Sequence, residues 1–267
     1  MTDRYAVIGN PVAHSKSPWI HAEFARQTRQ DMAYERIEAP LDGFARALDA
    51  FRAAGGCGAN VTLPFKEQAF DYCGNAVSER AGAAGVVNTL VFDNGGVCGD
   101  NTDGVGLLRD LTVNLGREVA GRRVLLMGAG GAAQGVLGPL LESRPLRLVI
   151  VNRTPGKARA LARRFGAASG GGYGDIGDDQ FDLLINATSA GLLDEAPPLH
   201  SGAFAPGALG YDMVYGRDTP FLAMARAAGA EARDGAGMLV EQAAQSFFLW
   251  RALRPDTAPV LAALRQR

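Results

Sequence analysis

Lysine and aspartate at two separate helix starts are the residues best placed for proton chemistry. Asn60-Val61-Thr62 finishes a strand and Pro64 opens a helix, which puts Lys66 in that helix's first turn. The positive end of a helix dipole disfavours an ammonium, and partial burial adds to the effect. A lysine moved toward neutrality is what a general acid or base needs. Downstream, Asp100-Asn101-Thr102-Asp103-Gly104 leads into a long helix ending near Leu115, with Asp103 in its first turn. The dipole there stabilises a carboxylate. Either Lys66 is a solvated surface lysine and Asp103 merely a well-placed acid, or the two form a proton-handling, hydroxyl-orienting pair.

The strand Tyr5 to Gly9 delivers the chain to a loop, Asn10 to Pro18, that carries two serines. Ser17-Pro18 has a structural explanation as N-cap and first helical residue. Ser15, two residues earlier, is free to face a ligand. His14 reads as a satisfied loop residue. Asn88 interrupts the otherwise apolar run Gly85 to Phe92, so its amide either satisfies local backbone or reaches a polar ligand, since an unmet buried amide costs a few kcal/mol.

The elements that must carry these residues form an alternating α/β pattern. Strands are expected at Ala33–Ala39 and around Asn60 and Asn88, with helices at Leu41–Ala54 and near Val77–Ala83 and a hairpin turn at Asp93-Asn94-Gly95-Gly96. The centre of the chain is Arg122 to Glu142, where the buried-strand run Val124–Met127 gives way to Gly128-Ala129-Gly130-Gly131-Ala132-Ala133 and then to helical spacing. Strand, glycine turn and helix form the context of a dinucleotide fingerprint. Gly128 permits the tight turn, Gly130 the approach of backbone to a pyrophosphate, and Ala133 close helix–strand packing. The alternative is a glycine-rich turn without a ligand, in a chain with 35 glycines.

A second buried strand, Leu146 to Val151, ends in Asn152-Arg153-Thr154. NAD-preferring units carry a carboxylate near here for the ribose 2′-hydroxyl. An amide and a guanidinium instead suit the 2′-phosphate of NADP. Thr154 reads as N-cap and Pro155 as the first helical residue, with Lys157 a second cation within reach. Phe181–Thr188 and Ala208–Tyr215 read as further strands, the second carrying Met213 and Tyr215 to the sheet's carboxyl edge. Thr219-Pro220 caps a helix, and a strongly apolar helix runs from Gly237 to Arg251. Gln242 is the polar exception on that mostly buried helix and requires a partner.

The totals exclude several classes. With 27 Lys and Arg against 28 Asp and Glu, net charge −1 leaves no footprint for nucleic acid or an anionic membrane. No apolar run approaches the roughly 18 residues of a membrane span, and the N-terminal segment lacks an apolar signal region. The three cysteines, Cys57, Cys73 and Cys98, are scattered and read as reduced thiols, and three histidines offer little for a metal site. A soluble cytoplasmic protein, monomer or homodimer, without bound metal is expected.

Together the segments NPVAHSKSP, NVTLPFK, GVVNTL, GDNTDG, GAGGAA, NRT, DMVYG and DGAGMLVEQAAQSFFLW resemble the shikimate dehydrogenase family along the whole chain. The resemblance implies an N-terminal α/β substrate domain (1–103) and a Rossmann-type, doubly wound parallel-sheet NADP domain (104–236). C-terminal helices (237–267) would return to the first domain, with the cleft between the two. It implies reversible NADPH-linked reduction of 3-dehydroshikimate to shikimate, in the route to aromatic amino acids. Lys66 and Asp103 match the catalytic pair, and Ser15, Ser17, Thr62, Asn88, Asp103, Tyr215 and Gln242 the substrate-binding residues. Gly128, Ala129, Gly130, Gly131, Ala132, Asn152, Arg153, Thr154 and Lys157 match the cofactor side. Met213 and Gly235 match residues lining the nicotinamide, and Glu79 a cofactor-side acid of some members. Two rivals remain: a quinate/shikimate dehydrogenase with relaxed cofactor use, and a non-catalytic ligand sensor on the same scaffold. The sequence departs from many members by having Pro155-Gly156-Lys157 where an arginine follows NRT. Its glycine-rich run Gly170 to Gly177 reads as a loose loop.

Overall fold

The computed structural model describes residues 2–93, 96–166, 168–189 and 194–267. Contacts divide the chain into two compact units, Met1–Gly106 with Leu239–Arg267, and Leu107–Met238.

The first unit is built in the order β1 (Asp3–Gly9), α1 (Ser17–Thr28), β2 (Met32–Glu38), α2 (Phe44–Ala53), β3 (Gly56–Val61), α3 (Lys66–Cys73), α4 (Glu79–Ala84), β4 (Thr89–Asp93) and β5 (Gly96–Asp100). α5 (Asp103–Arg109) leads out of it. The sheet order is β2-β1-β3-β4-β5, parallel across the first three strands and antiparallel from β3 to β5. The tip of the β4–β5 hairpin, Asn94-Gly95, lies outside the described residues, but the strands pair up to Asp93 and Gly96. Ile8, Val61, Phe65 and Leu90 anchor its core with Phe44 and Leu48 of α2.

The second unit contains β6 (Arg123–Met127), α6 (Gly131–Glu142), β7 (Arg147–Val151), α7 (Pro155–Phe165), β8 (Ser169–Gly171), β9 (Phe181–Asn186), β10 (Phe204–Asp212), α8 (Pro220–Ala227) and β11 (Glu231–Asp234). The sheet order is β11-β10-β9-β6-β7-β8, with every pair parallel. That order places a topological switch point between β6 and β9, where open α/β sheets bind ligands. Alternate residues of β6 explain the double winding. Val124 and Leu126 enter one apolar cluster, Leu125 and Met127 the other, so the strand is buried on both faces.

α9 (Ala236–Arg251) leads back into the first unit, where α10 (Thr257–Leu264) ends the chain. Within that unit the Trp250 indole N–H donates to the Leu90 carbonyl at 3.0 Å, and Asp256 exchanges bonds with Gln27 of α1. Arg251 pairs with Asp3 of β1.

Several boundaries differ from the sequence reading. Lys16, not Ser17, occupies the cap position of α1, and no side chain caps it. Pro64 sits in a turn, and α3 begins only at Lys66. The helix from Asp103 is regular only to Arg109, then widens to a π turn over Asp110–Asn114. The buried Asp110 carboxylate accepts from the Tyr211 hydroxyl at 2.6 Å and from the Asn114 amide at 2.9 Å. β10 ends at Asp212, short of Met213 and Tyr215, because the Val214 N–H turns back to the Asp212 carboxylate at 3.0 Å instead of joining the ladder. Gly170 is not loose: it lies in β8, so close to α7 that a Cβ would meet the Ala158 carbonyl at 2.3 Å. Phe248 of α9 is exposed, with the Arg254 guanidinium 4.9 Å over its ring.

His21 of α1 is fully buried with neither ring nitrogen hydrogen-bonded. It stacks on Tyr34, centroids 4.2 Å apart, and touches Phe24, Phe247 and Trp250. The nearby Asn60 amide is committed elsewhere, to Tyr34, Thr89 and Ser246. Burial pulls the imidazole down from 6.5 to about 3, so the unfolded chain takes up a proton that the folded chain refuses. Stability is full above pH 6.5 and falls as the pH drops, by about 1.4 kcal/mol per unit while only the unfolded chain is protonated. Denaturant unfolding between pH 7 and pH 5 is therefore expected to show about 2 kcal/mol more loss in the wild type than in His21→Phe. Equal losses would contradict a neutral, unpartnered His21.

Candidate functional site

In the first unit the loops after β3 and β5 and the start of β4 converge on one polar cluster, and the loop after β1 is tied to the loop after β3 by the Asn10 N–H, which donates to the Leu63 carbonyl at 2.9 Å. Lys66 Nζ lies 2.5 Å from Asp103 Oδ2, with the two side chains only 13% and 7% exposed. Lys66 is therefore not a solvated surface lysine, and the adjacent carboxylate offsets the repulsion between its ammonium and the dipole of α3. The Asn88 amide donates to the other Asp103 oxygen at 2.8 Å and to the Thr102 hydroxyl at 3.0 Å. Its carbonyl accepts the Thr102 N–H at 2.8 Å. Asn88 thus satisfies its neighbours and orients the aspartate. The Asn101 side chain accepts the Asp103 N–H at 3.1 Å.

Three backbone bonds hold this arrangement. The Val61 N–H donates to Asn88 at 2.8 Å, Val87 to Lys66 at 3.0 Å, and Asn88 to Asp100 at 3.0 Å. Asp100 is itself gripped by Arg80 through both oxygens, at 2.6 and 2.7 Å.

Gln242 is half-buried. Its amide donates to the Leu239 carbonyl at 2.8 Å, and its Oε1 lies 3.4 Å from the Thr102 hydroxyl and 3.5 Å from Asn88 Nδ2. Thr62 is half-buried at the end of β3, and Ser15 and Ser17 are buried at the start of α1. The Ser15 hydroxyl, expected to be free, accepts the Ser17 N–H at 3.3 Å. Among the described residues the hydroxyls of Ser17 and Thr62 engage no other group. Sequence reasoning missed three supporting residues, Asn60, Thr102 and Ser246. Asn60 donates to Ser246 at 2.9 Å and to Thr89 at 3.1 Å. Asn60 lies one residue before the end of β3, Thr102 in the turn between β5 and α5, and Ser246 on α9, where Glu241 and Gln245 are buried polar residues as well, so Gln242 is not the polar exception expected on that helix.

In the second unit the turn after β6 lies at the switch point. Gly128 has φ +112°, its N–H donates to Val151 at 2.7 Å, and a Cβ would press on the Ala187 carbonyl at 3.0 Å. Gly130 differs. Its φ of −93° suits any residue, and a Cβ would meet nothing within 4 Å, so neither conformation nor internal packing calls for glycine there. Ala129, Gly131 and Ala132 are half-buried around the start of α6, and Ala133 is fully buried on the sheet.

At the end of β7 the Asn152 amide donates to the Thr154 carbonyl at 3.1 Å. Thr154 takes the cap position of α7 without using its side chain, and Arg153, Thr154 and Lys157 are all exposed. The nearby Arg153 charge opposes, without cancelling, the burial that pushes the Tyr173 hydroxyl up to about 12. Beyond β10, the Met213 N–H donates to Asn186 at 3.0 Å, and a Cβ on Gly235 would strike the Met213 carbonyl at 2.4 Å. Tyr215 is half-buried in the same segment. Asn186 is committed to local structure, bonding Asp212 at 3.2 Å and Thr188 at 2.7 Å. Burial raises the Asp212 carboxyl despite bonds from Thr219, Val214 and Asn186. Glu79 is exposed in the first turn of α4, in the first unit.

The chain is similar to several known proteins. A model of the shikimate dehydrogenase substrate binding domain matches residues 7–90. Models of shikimate/quinate 5-dehydrogenase and of the shikimate 5′-dehydrogenase C-terminal domain match residues 110–192 and 235–265. A shikimate dehydrogenase (NADP+) of Nitrosospira multiformis is 59% identical over 99% of this chain and 98% of its own. The chain belongs to the shikimate dehydrogenase family. Among solved structures, an Ael1 enzyme from Pseudomonas putida is 46% identical, covers 98% of both chains and has a TM-score of 0.92. A family member from Thermus thermophilus, crystallised with NADP(H) and shikimate, is 36% identical over 99% of both chains with a TM-score of 0.89.

The two glycines of the turn can be told apart by stability. Gly128→Ala forces a strained backbone and is expected to cost about 1–3 kcal/mol, whereas Gly130→Ala should stay within about 0.5 kcal/mol of wild type. Denaturant unfolding of both checks this, and an equal cost at the two positions would contradict the distinction.

Proposed function

We propose that this protein catalyses the reversible, NADP-linked interconversion of 3-dehydroshikimate and shikimate, with Lys66 and Asp103 managing the proton. The observation that carries the reading is the 2.5 Å Lys66–Asp103 pair, largely shielded from water and fixed by Asn88. An ammonium there can give a proton to the ketone oxygen during reduction and, once neutral, take one from the hydroxyl during oxidation. Asp103 orients that hydroxyl and compensates the ammonium. Thr62, Ser15, Ser17 and Gln242 offer further polar groups for the substrate's hydroxyls and carboxylate. Asn88 contributes by holding Asp103 in place.

The residues of the second unit fit NADP. Gly130 leaves the start of α6 open to a pyrophosphate, where helix N–H groups attract an anion. Arg153, Thr154 and Lys157 offer an exposed guanidinium, hydroxyl and ammonium to the 2′-phosphate, with Asn152 bracing the turn. Met213 and Gly235 form a tightly apposed wall suited to the nicotinamide, and Glu79 is a further cofactor-side candidate. When bound, the nicotinamide supplies or accepts the hydride. No carboxylate follows β7 to favour NAD, and an intact proton-handling pair is not what a ligand sensor requires. We place the protein in the cytoplasm, which suits its three free thiols. No helix among the described residues is long and apolar enough to cross a membrane.

Mixing the protein with NADP and shikimate should produce the absorbance of reduced nicotinamide. No signal in either direction would sink the assignment. Lys66→Ala should lower kcat by about 10²–10⁴-fold with a smaller change in substrate affinity; unchanged turnover would remove Lys66 from the chemistry. Arg153→Ala should reduce the preference for NADP over NAD in kcat/KM by about 10- to 100-fold, the worth of a charge-assisted bond. An unchanged ratio would place the 2′-phosphate elsewhere.

A further inference from the structure

Arg36 of β2 has an arrangement that no role above explains. Its guanidinium donates twice to one acceptor, the Ser15 carbonyl, from Nε at 3.1 Å and from Nη2 at 2.5 Å. An exposed arginine on a strand commonly finds a carboxylate, and β2 offers two. Glu35 is instead paired with Arg4 at 2.6 Å, and Arg36 forms no ion pair among the described residues. A full positive charge is therefore clamped to the loop that presents Ser15 and Ser17. Lys66, by contrast, is matched by Asp103. The two groups thus differ in charge: Lys66 and Asp103 form a compensated pair suited to a hydroxyl or ketone, while the guanidinium held to the serine loop has no ion-pair partner among the described residues.

From this we infer that Arg36 is a positioning residue for the substrate's carboxylate. It fixes the Ser15–Ser17 turn through the Ser15 carbonyl and supplies the positive potential that draws the anionic end of the substrate to those two hydroxyls. The inference rests on the proposed substrate class, an acid bearing ring hydroxyls. A guanidinium fork suits this better than an ammonium, since two N–H groups in one plane hold the carbonyl while the charge stays delocalised over the rest. Lys16, exposed between the two serines, makes no such clamp among the described residues and serves as a control.

The test compares shikimate with its uncharged methyl ester, by calorimetric binding and by steady-state kinetics, in wild type, Arg36→Gln, Arg36→Lys and Lys16→Gln. Arg36→Gln is expected to weaken shikimate binding and raise its KM by about tenfold, the effect of removing one favourable charge at close range. The kcat should change by less than about twofold, and methyl ester binding should be nearly unchanged. Arg36→Lys should recover part of the loss, and Lys16→Gln should show little. The inference is overturned if Arg36→Gln weakens acid and ester equally, if it weakens neither, or if Lys16→Gln has as large an effect. A wild type that binds shikimate without oxidising it would count against the proposed reaction and leave the Arg36 comparison intact. A wild type that does not bind shikimate would overturn both.

Discussion

An ammonium and a carboxylate withdrawn from water stay charged and useful only if each compensates the other and the geometry is enforced. That requirement organises the first unit. Lys66 comes from the start of α3 and Asp103 from the start of α5, 37 positions apart in the chain, and neither helix alone could set their spacing. The spacing is set by the strands behind them. β3 delivers the chain to Lys66 and β5 delivers it to Asp103, while Asn88 at the entrance of β4, the strand between them, bonds to both neighbours and to Asp103 itself. Removing one partner from such a buried pair typically costs about 3–5 kcal/mol, so the residues proposed to manage the proton also hold the fold together.

The second unit meets a different constraint. An open parallel sheet leaves its strand ends unpaired at the switch point between β6 and β9, and the chain must turn sharply there without filling the space. Gly128 satisfies the turn through its positive φ and its closeness to Ala187. Gly130 satisfies only the emptiness. A glycine that neither backbone strain nor packing demands fits the proposed approach of a pyrophosphate, as the exposed Arg153 and Lys157 beyond β7 fit the proposed 2′-phosphate.

The sequence made much of this legible, for identifiable reasons. The unbroken apolar run Val124–Met127 and its glycine turn announce a two-faced strand feeding a helix, and Lys66 and Asp103 announce themselves by standing where helices begin. Tertiary effects hid the rest. The π turn at Asp110 is bound up with a bond to Tyr211, which is 101 positions away. Gly170 looked like a loop because its glycine serves contact with α7, which local sequence does not reveal. Ser15 looked free, yet its hydroxyl receives an N–H from Ser17, and Arg36 drew no notice because its partner is a backbone carbonyl, which carries no sequence signature.

The account stands on Lys66 and Asp103 acting as one unit, and a double-mutant cycle in kcat measures that most directly. Lys66→Met, Asp103→Asn and the double variant are compared with wild type under saturating substrate and cofactor. A joint device predicts that the double variant loses little more activity than the worse single variant, as for groups that work only together. Losses that multiply would mean that the two side chains act independently, and the paired proton-handling site would have to be abandoned.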